Sequence, residues 1–241
     1  TAIKFDGTTN NNTINDVQAY NTAAYGIYLG LGSHHNTLMN VQTFNNNEAG
    51  IHLYYASNYN VINNTQSYNN WSYGIRFANG SSRNTMNNFQ TYNNGIGLFW
   101  DLTTQENILN RAIIYNNSDA GIYFKNSSGN ILNDVRIYNN TIGIRTLYSS
   151  PGNKYYGELQ MFANANGNFE GTTGNDISFA PWSSALFSLP GILNTGGTMS
   201  CLYATNPTLS WTTLLNSSCS ILIILASKNS IRNRYFSYPL L

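Results

Sequence analysis

Residues 50–70 read GIHLYYASNYNVINNTQSYNN, and this stretch contains every element of a repeat that fills the first two thirds of the chain. Asn60 is followed eight residues later by Tyr68, and both positions recur every 23 or 24 residues. The first Asn column is Asn12, Asn36, Asn60, Asn84, Asn107, Asn130 and Asn153, and the second is Asn21, Asn45, Asn69, Asn93, Asn116 and Asn139. The aromatic column is Tyr20, Phe44, Tyr68, Tyr92, Tyr115 and Tyr138, with Met161 in the seventh copy. A fixed period of this length predicts one supersecondary unit stacked on copies of itself.

The apolar residues within each repeat predict short β-strands. After Asn60, Ile62 is apolar, and Thr65 and Ser67 alternate with the polar Gln66. This period of two is typical of strands, and no segment shows a helical stripe. Because hairpin turn signals are absent, we expect the chain to wind into about seven parallel coils, with strands about 4.8 Å apart. The predicted fold class is therefore all-β, a parallel β-helix.

The Asn columns predict hydrogen-bonded ladders. A carboxamide both donates and accepts, so identical Asn side chains in successive coils can bond in a continuous chain. Turn formation explains a single Asn, but it does not explain two columns in fixed register.

The string Gly-Ile-x-Leu, Asn-x-Ile and Asn-Asn, seen in residues 50–70, resembles the repeat of the pectin-lyase-like superfamily. It is similar in particular to NosD-type and related surface-protein repeats. The resemblance covers roughly residues 5–180 and implies a right-handed parallel β-helix. It is specific for the fold and not for an activity.

The period is lost from Ala180 onward, where Pro and Gly interrupt the chain. We therefore predict a parallel β-helix over residues 1–179 and a β-rich C-terminal cap or packing segment over residues 180–241, because the open end of a solenoid needs cover. Cys201 and Cys219 lie in this tail, either as a disulfide or as two buried thiols.

The composition argues against several classes of function. Only 9% of the residues are charged and the net charge is +1, so we expect no nucleic-acid partner. The longest apolar run, residues 221–226, is too short for a membrane span. The three His have no ligand-like spacing, and we predict neither a metal nor a cofactor. The ten acidic residues form no column and no Asp-Asp pair, which disfavours a hydrolase or a calcium-dependent lyase.

The aromatic column shares its strand parity with the Gln residues, so we expect the rings to face outward. Three roles remain open for them: the rings stiffen the rod, pack against a partner, or stack on sugars.

A break in register is predicted at the fourth coil. If Gly95-Ile96 opens the second strand there, the preceding turn is short and Gly97 replaces an outward side chain. This arrangement predicts a shallow notch suited to a carbohydrate. Its predicted edge consists of Trp71, Tyr73, Arg76, Trp100, Asp101, Asp119 and Tyr123.

The sequence favours a non-catalytic structural or adhesive protein outside the cell or at its surface. Its expected partners are copies of itself, in head-to-tail or lateral contact, and alternatively a polysaccharide. The competing hypotheses are a polysaccharide lyase or glycoside hydrolase acting at the notch, and a non-catalytic glycan-binding module.

Overall fold

The structure, a computed structural model, describes residues 1–171 in full and, beyond them, the backbone of six strands within residues 176–226. Every regular element in this part of the chain is a β-strand. The strands are Ile3–Phe5 (β1), Thr13–Asn15 (β2), Gln18–Tyr20 (β3), Tyr25–Leu29 (β4), Thr37–Met39 (β5), Gln42–Phe44 (β6), Ala49–Tyr54 (β7), Val61–Tyr68 (β8), Tyr73–Ala78 (β9), Thr85–Tyr92 (β10), Ile96–Asp101 (β11), Ile108–Tyr115 (β12), Ala120–Lys125 (β13), Ile131–Tyr138 (β14), Ile142–Leu147 (β15), Asn153–Phe162 (β16), Gly167–Gly171 (β17), Asp176–Phe179 (β18), Ser184–Ser188 (β19), Ile192–Leu193 (β20), Thr198–Cys201 (β21), Leu209–Ser210 (β22) and Ile223–Ala226 (β23).

The strands form two sheets, because each coil contributes to both before it starts the next. One sheet has nine strands in the order β1-β4-β7-β9-β11-β13-β15-β17-β20, and the other has fourteen. Pairing between successive coils is parallel and in register, so that Ile62 lies between Leu38 and Met86. The predicted all-β parallel solenoid is confirmed.

The core lies between the two sheets. Inward residues of the nine-stranded sheet, such as Ile51 and Ile75, and of the fourteen-stranded sheet, such as Ile62 and Met86, are all fully buried. Like residues therefore stack on like residues along the rod, and burial of each apolar side chain stabilises the fold by about 1.5–3 kcal/mol.

The first Asn column forms a buried ladder. Asn36 Nδ2 donates to Asn60 Oδ1 at 3.1 Å, Asn60 to Asn84 at 3.1 Å, and the chain of bonds continues through Asn107 and Asn130. Each Oδ1 also accepts the backbone N–H of the coil before it, as between Asn36 and Asn60 at 2.9 Å. These amides are fully satisfied inside the rod, where an unmade bond would cost about 1–3 kcal/mol.

The second buried ladder lies one residue after the predicted one. Its members are Thr22, Asn46, Asn70, Asn94, Asn117, Asn140 and Asn164. The predicted Asn21, Asn45, Asn69, Asn93, Asn116 and Asn139 are exposed and have φ of 53–56°. Asn tolerates this left-handed conformation better than most residues. The backbone therefore turns at the first Asn of each pair, and the second Asn points inward.

The aromatic column is a continuous stack on the outer face of the fourteen-stranded sheet. Successive rings lie 4.8–5.1 Å apart with interplanar angles of at most 11°. The seventh ring is Phe162, whereas the predicted Met161 is buried in the core. A bulge opposite Asn133 and Val135, where Gly157 has φ of 65°, adds the residue that shifts this register.

The predicted alignment of Gly97 with the outward residues of the other coils is wrong. Leu98 pairs with Ile75 and Ile122, so Gly97 aligns with the other strand glycines. Phe99 occupies the outward position that Gly97 was expected to leave empty. A Cβ on Gly97 would lie 2.6 Å from the carbonyl oxygen of Gly121, so close coil packing requires glycine here. The Gly-Ile position of this coil is occupied by Gly97-Leu98, and the similar pair Gly95-Ile96 lies two residues before it.

Parallel pairing continues past residue 179. Strand β19 pairs with β16, β20 with β17, and β21 with β18, while β21 and β22 are antiparallel. The division into a rod and a C-terminal cap at residue 180 stays a prediction. The side chains of Cys201 and Cys219 lie outside the described residues.

Candidate functional site

The outer face of the nine-stranded sheet carries a row of unlike side chains, one from each coil. In register order they are Lys4, Tyr28, His52, Arg76, Phe99, Tyr123, Arg145 and Glu170. The strands place these residues on one line along the rod, about 4.8 Å apart. The face therefore combines ionisable and aromatic groups, whereas the aromatic column and the buried Asn ladder each repeat a single chemical type.

His52 is the buried residue among the ionisable members of this row. Its side chain is 3% exposed, and its ring lies 4.7 Å from Tyr25, 5.7 Å from Tyr28 and 5.4 Å from Tyr54, centroid to centroid. Neither ring nitrogen has a hydrogen-bond partner among the described residues. Burial, and secondarily the charge of Arg76, lowers the pKa of His52 to about 3. The imidazole is therefore neutral near pH 7.

Two of the surrounding tyrosines are fixed in place by their neighbours. The Tyr25 hydroxyl donates to Glu48 Oε1 at 3.0 Å, and burial together with this bond raises the pKa of Tyr25 to about 12. The Tyr28 ring lies over Gly30, where an added Cβ would fall 2.3 Å from the ring. Burial also raises the pKa of Tyr28, so its hydroxyl keeps its proton and remains a donor.

These groups line an open depression of about 530 Å³, called the His52 depression below. Its lining consists of Thr1, Lys4, Tyr25, Tyr28, His52, Tyr54 and Arg76. Lys4 and Arg76 contribute positive charge, and each is paired with a carboxylate outside the lining, Lys4 with Asp6 and Arg76 with Asp101. The depression therefore offers aromatic surface and cations to a ligand, and its wall contains an unbonded imidazole whose two nitrogens are closed to solvent.

Arg76 contacts two acidic side chains, of which Asp101 is buried and Glu48 is partly exposed. Its Nη2 lies 2.9 Å from Asp101 Oδ2, and Glu48 lies 3.8 Å from its Nη1. The Asp101 side chain is 4% exposed and also faces Lys125 at 3.8 Å. The guanidinium lies 5.3 Å from the Tyr73 ring and 5.6 Å from the Phe99 ring. This network fixes the orientation of Arg76 while its Nε stays without a partner in the described residues.

The residues predicted to edge a notch are divided between three places. Tyr73, Arg76, Asp101 and Tyr123 lie together on the nine-stranded face. Asp119 is beside them and pairs with Arg145 at 2.7 Å. The indole of Trp100 is fully buried and stacks on Phe124 at 4.8 Å, and Trp71 is 83% exposed on a turn between the sheets.

The aromatic column does not offer its ring faces to a ligand. Each ring from Phe44 to Tyr138 is covered on both faces by the ring above and the ring below, and only edges reach the surface. Sugars stack on aromatic faces, so this column is poorly suited to that contact.

The His52 depression was not predicted from the sequence. His52 was considered there only as a metal ligand, and Lys4, Tyr25, Tyr28 and Tyr54 were not predicted as site residues. The sequence did contain a signal for this site. The outward position of the Gly-Ile strands holds a different residue in successive coils, whereas the Asn and aromatic columns repeat. Variation inside a strict repeat indicates positions that the fold does not constrain.

The described residues contain neither a cluster of metal ligands nor a helix that could span a membrane. Within residues 1–171, no three His, Cys, Asp or Glu side chains come together as a metal site would require. No helix of the described part of the chain has the length and apolar character needed to cross a membrane.

Several solved structures share this fold at low sequence identity. The A-module of the mannuronan C-5 epimerase AlgE4 from Azotobacter vinelandii is 20% identical with a TM-score of 0.61, covering 85% of this chain and 59% of that one. The periplasmic alginate epimerase AlgG is 20% identical with a TM-score of 0.54, covering 75% and 49%. Pectate lyase Pel9A is 15% identical with a TM-score of 0.56, covering 80% and 60%. The chain thus spans about half to three fifths of the length of these proteins.

Sequence comparison gives the family directly. No curated protein matches the chain in sequence. Residues 1–160, however, match the family described as the right handed beta helix region, which agrees with the handedness that the resemblance implied. The chain therefore belongs to the right-handed β-helix family.

Proposed function

We propose that this chain acts on an acidic polysaccharide that lies along the outer face of the nine-stranded sheet, with one sugar in the His52 depression. The observation that carries the proposal is the buried imidazole, whose two nitrogens lack partners and which lies in a depression lined by cations and tyrosines. An unbonded buried polar group costs about 1–3 kcal/mol, a cost that a bound ligand would offset by supplying the hydrogen bond.

The charges and rings of the depression favour a sugar that carries a carboxylate. Lys4 and Arg76 can pair with this group, and Arg76 has an Nε–H without a partner in the described residues. The tyrosine rings supply apolar surface for the sugar ring. Structural similarity to alginate epimerases and to a pectate lyase also favours a polysaccharide substrate.

The reaction that these groups support is β-elimination. When Arg76 neutralises the carboxylate, the proton on the adjacent sugar carbon becomes more acidic. Neutral His52 accepts it after the tyrosine rings that cover the imidazole nitrogens move aside. The electron pair forms a carbon–carbon double bond while the bond to the glycosidic oxygen breaks. Tyr28 donates its proton to the leaving oxygen. The negative charge that develops on the substrate as the proton leaves also raises the low pKa of His52, because an anion nearby stabilises the imidazolium.

The proposal is tested by measuring unsaturated products from a panel of polyuronates and neutral glycans. We expect the wild-type chain to release them from a polyuronate, and His52→Gln or Tyr28→Phe to lower kcat by about 100-fold or more. Tyr55→Phe, which alters an exposed tyrosine outside the lining, is the matched control. Absence of product from every polyuronate, or full activity in His52→Gln, would refute the proposal.

The second candidate is a non-catalytic structural or adhesive role outside the cell or at its surface, with copies of the chain as partners. The uninterrupted aromatic stack favours it, because the stack stiffens the rod and presents a flat row of ring edges. Electron microscopy at high protein concentration should then reveal filaments or lateral assemblies. Isolated particles alone would contradict this second role.

A further inference from the structure

Trp71 is the most exposed large hydrophobic residue in the described part of the chain, at 83%. It lies on the turn between β8 and β9, and among the described residues no aromatic ring packs on its indole. An indole left in water forgoes the burial that usually stabilises this side chain. Its position indicates a contact surface that the fold itself does not use.

A depression beside Trp71 arises from a difference in turn length. The turn from Asn70 to Gly74 in the third coil is one residue longer than the turn from Asn94 to Gly97 in the fourth. The shorter turn contains Gly95, where an added Cβ would lie 2.6 Å from the Ser72 carbonyl oxygen. The result is an open depression of about 630 Å³ next to the indole.

The rim of this depression consists of side-chain amides. Asn69, Asn93 and Asn116 contribute one amide per coil, and Ser118 adds a hydroxyl. Asn93 Nδ2 donates to Asn69 Oδ1 at 3.1 Å, whereas the Asn116 side chain makes no hydrogen bond to any described residue. No charged side chain belongs to the lining. The rim can therefore donate to and accept from hydroxyl groups but has no counterion for an acid.

We propose that Trp71 and the Asn69–Asn93–Asn116 rim form a binding subsite for an uncharged pyranose of a glycan chain. One sugar face stacks on the indole, and its hydroxyls bond to the amides. The subsite shares no lining residue with the His52 depression, so it differs from that site in both place and ligand charge.

The surroundings of Trp71 favour a sugar over a protein partner. A stable protein interface buries about 800 Å² on each side around an apolar centre. Here a single ring is set among amides, and the opening matches one or two sugar rings in size. The spacing of about 4.8 Å between coils also approaches the length of one sugar unit.

The test is calorimetric titration of neutral cello-, manno- and xylo-oligosaccharides into the full chain. We expect at least one of them to bind, and Trp71→Ala to weaken that binding about tenfold, in line with the loss of one aromatic contact. Asn116→Asp preserves the turn but replaces an amide donor with a charge, and should weaken it several-fold. Tyr148→Ala, which removes a ring that is 64% exposed on another turn, is the matched control.

Further outcomes separate this subsite from the other proposals. His52→Gln should leave neutral-glycan binding unchanged, whatever it does to turnover of polyuronates. If no neutral oligosaccharide binds, or if Trp71→Ala binds as well as wild type, the subsite does not exist. If Trp71→Ala instead converts an oligomer to a monomer in sedimentation, the indole is a protein contact and the proposal fails.

Discussion

The two outer faces of the rod are built by the same coils but differ in how strictly they repeat. On the fourteen-stranded face, Gln42, Gln66 and Gln90 succeed one another, beside an unbroken stack of aromatic rings. On the nine-stranded face, the equivalent outward position holds His52, Arg76 and then Phe99. The fourteen-stranded face keeps an unbroken column of rings, although its Gln column gives way to Ile113 and Arg136, and the nine-stranded face places different residues in successive coils.

This difference separates stability from function within a single fold. Identical neighbours suit a ladder, because stacked rings and paired amides stabilise each other at the coil spacing. Unlike neighbours pair less regularly, through single contacts such as the Phe99–Tyr123 ring stack and the Arg145–Glu170 ion pair, and His52 is buried without a hydrogen bond in the described structure. The nine-stranded face therefore carries residues that the fold alone does not require, and such departures usually occur at functional sites.

The largest expected effect comes from breaking a ladder. Asn60→Ala leaves the N–H and the amide of Asn36, and the Ser33 carbonyl, without the bonds that Asn60 supplies. We expect the free energy of unfolding to fall by about 3–5 kcal/mol, measured by urea denaturation. Asn47→Ala removes an exposed amide and should change it by less than about 0.5 kcal/mol. Equal effects of the two variants would mean that the ladder is not a source of stability.

The buried imidazole on the nine-stranded face should make the folding stability of the chain sensitive to acid. The pKa of His52 is about 3 in the folded chain and about 6.5 in the unfolded one, so below pH 6.5 the unfolded state takes up a proton that the folded state does not. Stability contributed by neutral His52 is complete above this pH and is lost as the pH falls toward 3. Between pH 6.5 and about pH 4.5 the loss should be about 2 kcal/mol.

The measurement is denaturation at a series of pH values, in which His52→Gln should abolish this loss. His35→Gln, which removes an exposed imidazole, is the control. An unchanged pH dependence in His52→Gln would show that His52 is not held neutral by its surroundings.

A smaller effect is expected at Gly30, which gives room to the Tyr28 ring. Gly30→Ala places a methyl group 2.3 Å from the present ring position, so the ring must move. We expect turnover of the polyuronate to fall about tenfold while the fold persists. In the Tyr28→Phe background the same substitution should add little, because its effect is transmitted through Tyr28. Additive losses would argue that Gly30 does not act by positioning this hydroxyl.

The smallest effect is expected from replacing one ring of the aromatic column on the fourteen-stranded face. Tyr92 is stacked at 4.9 Å on Tyr68 and at 4.8 Å on Tyr115. Tyr92→Leu should lower the free energy of unfolding by about 1 kcal/mol, without changing polyuronate turnover. Tyr55→Leu, at a ring outside the stack, serves as the comparison in the same denaturation assay. Loss of turnover in Tyr92→Leu would remove the distinction between the two faces.

The sequence was sufficient for the features that repeat. The column through Asn60 and the column through Tyr68 are placed correctly because a fixed period needs no knowledge of side-chain direction. The second ladder was misplaced by one residue because Asn69 and Asn70 are chemically identical. Only the left-handed backbone at Asn69 decides which of the two points inward.

Features that occur once were harder to predict. Gly97 was misaligned because Gly95-Ile96 imitates the repeat, and the true register depends on contact between the Gly97 and Gly121 backbones. The His52 depression depends on residues from four coils that have no sequence motif in common. Their proximity follows from the winding of the chain, and their burial follows from packing of three tyrosine rings that sequence spacing does not specify.

We propose that the nine-stranded face, and not the fourteen-stranded face, holds the acidic polysaccharide. This assignment can be tested by measuring the affinity of one polyuronate for the Arg76→Gln and Gln66→Ala variants, each compared with wild type. We predict that Arg76→Gln loses affinity by at least about tenfold, because a charged hydrogen bond contributes about 1.5–3 kcal/mol, and that Gln66→Ala retains it. Retained affinity in Arg76→Gln, or loss of affinity in Gln66→Ala alone, would contradict this account.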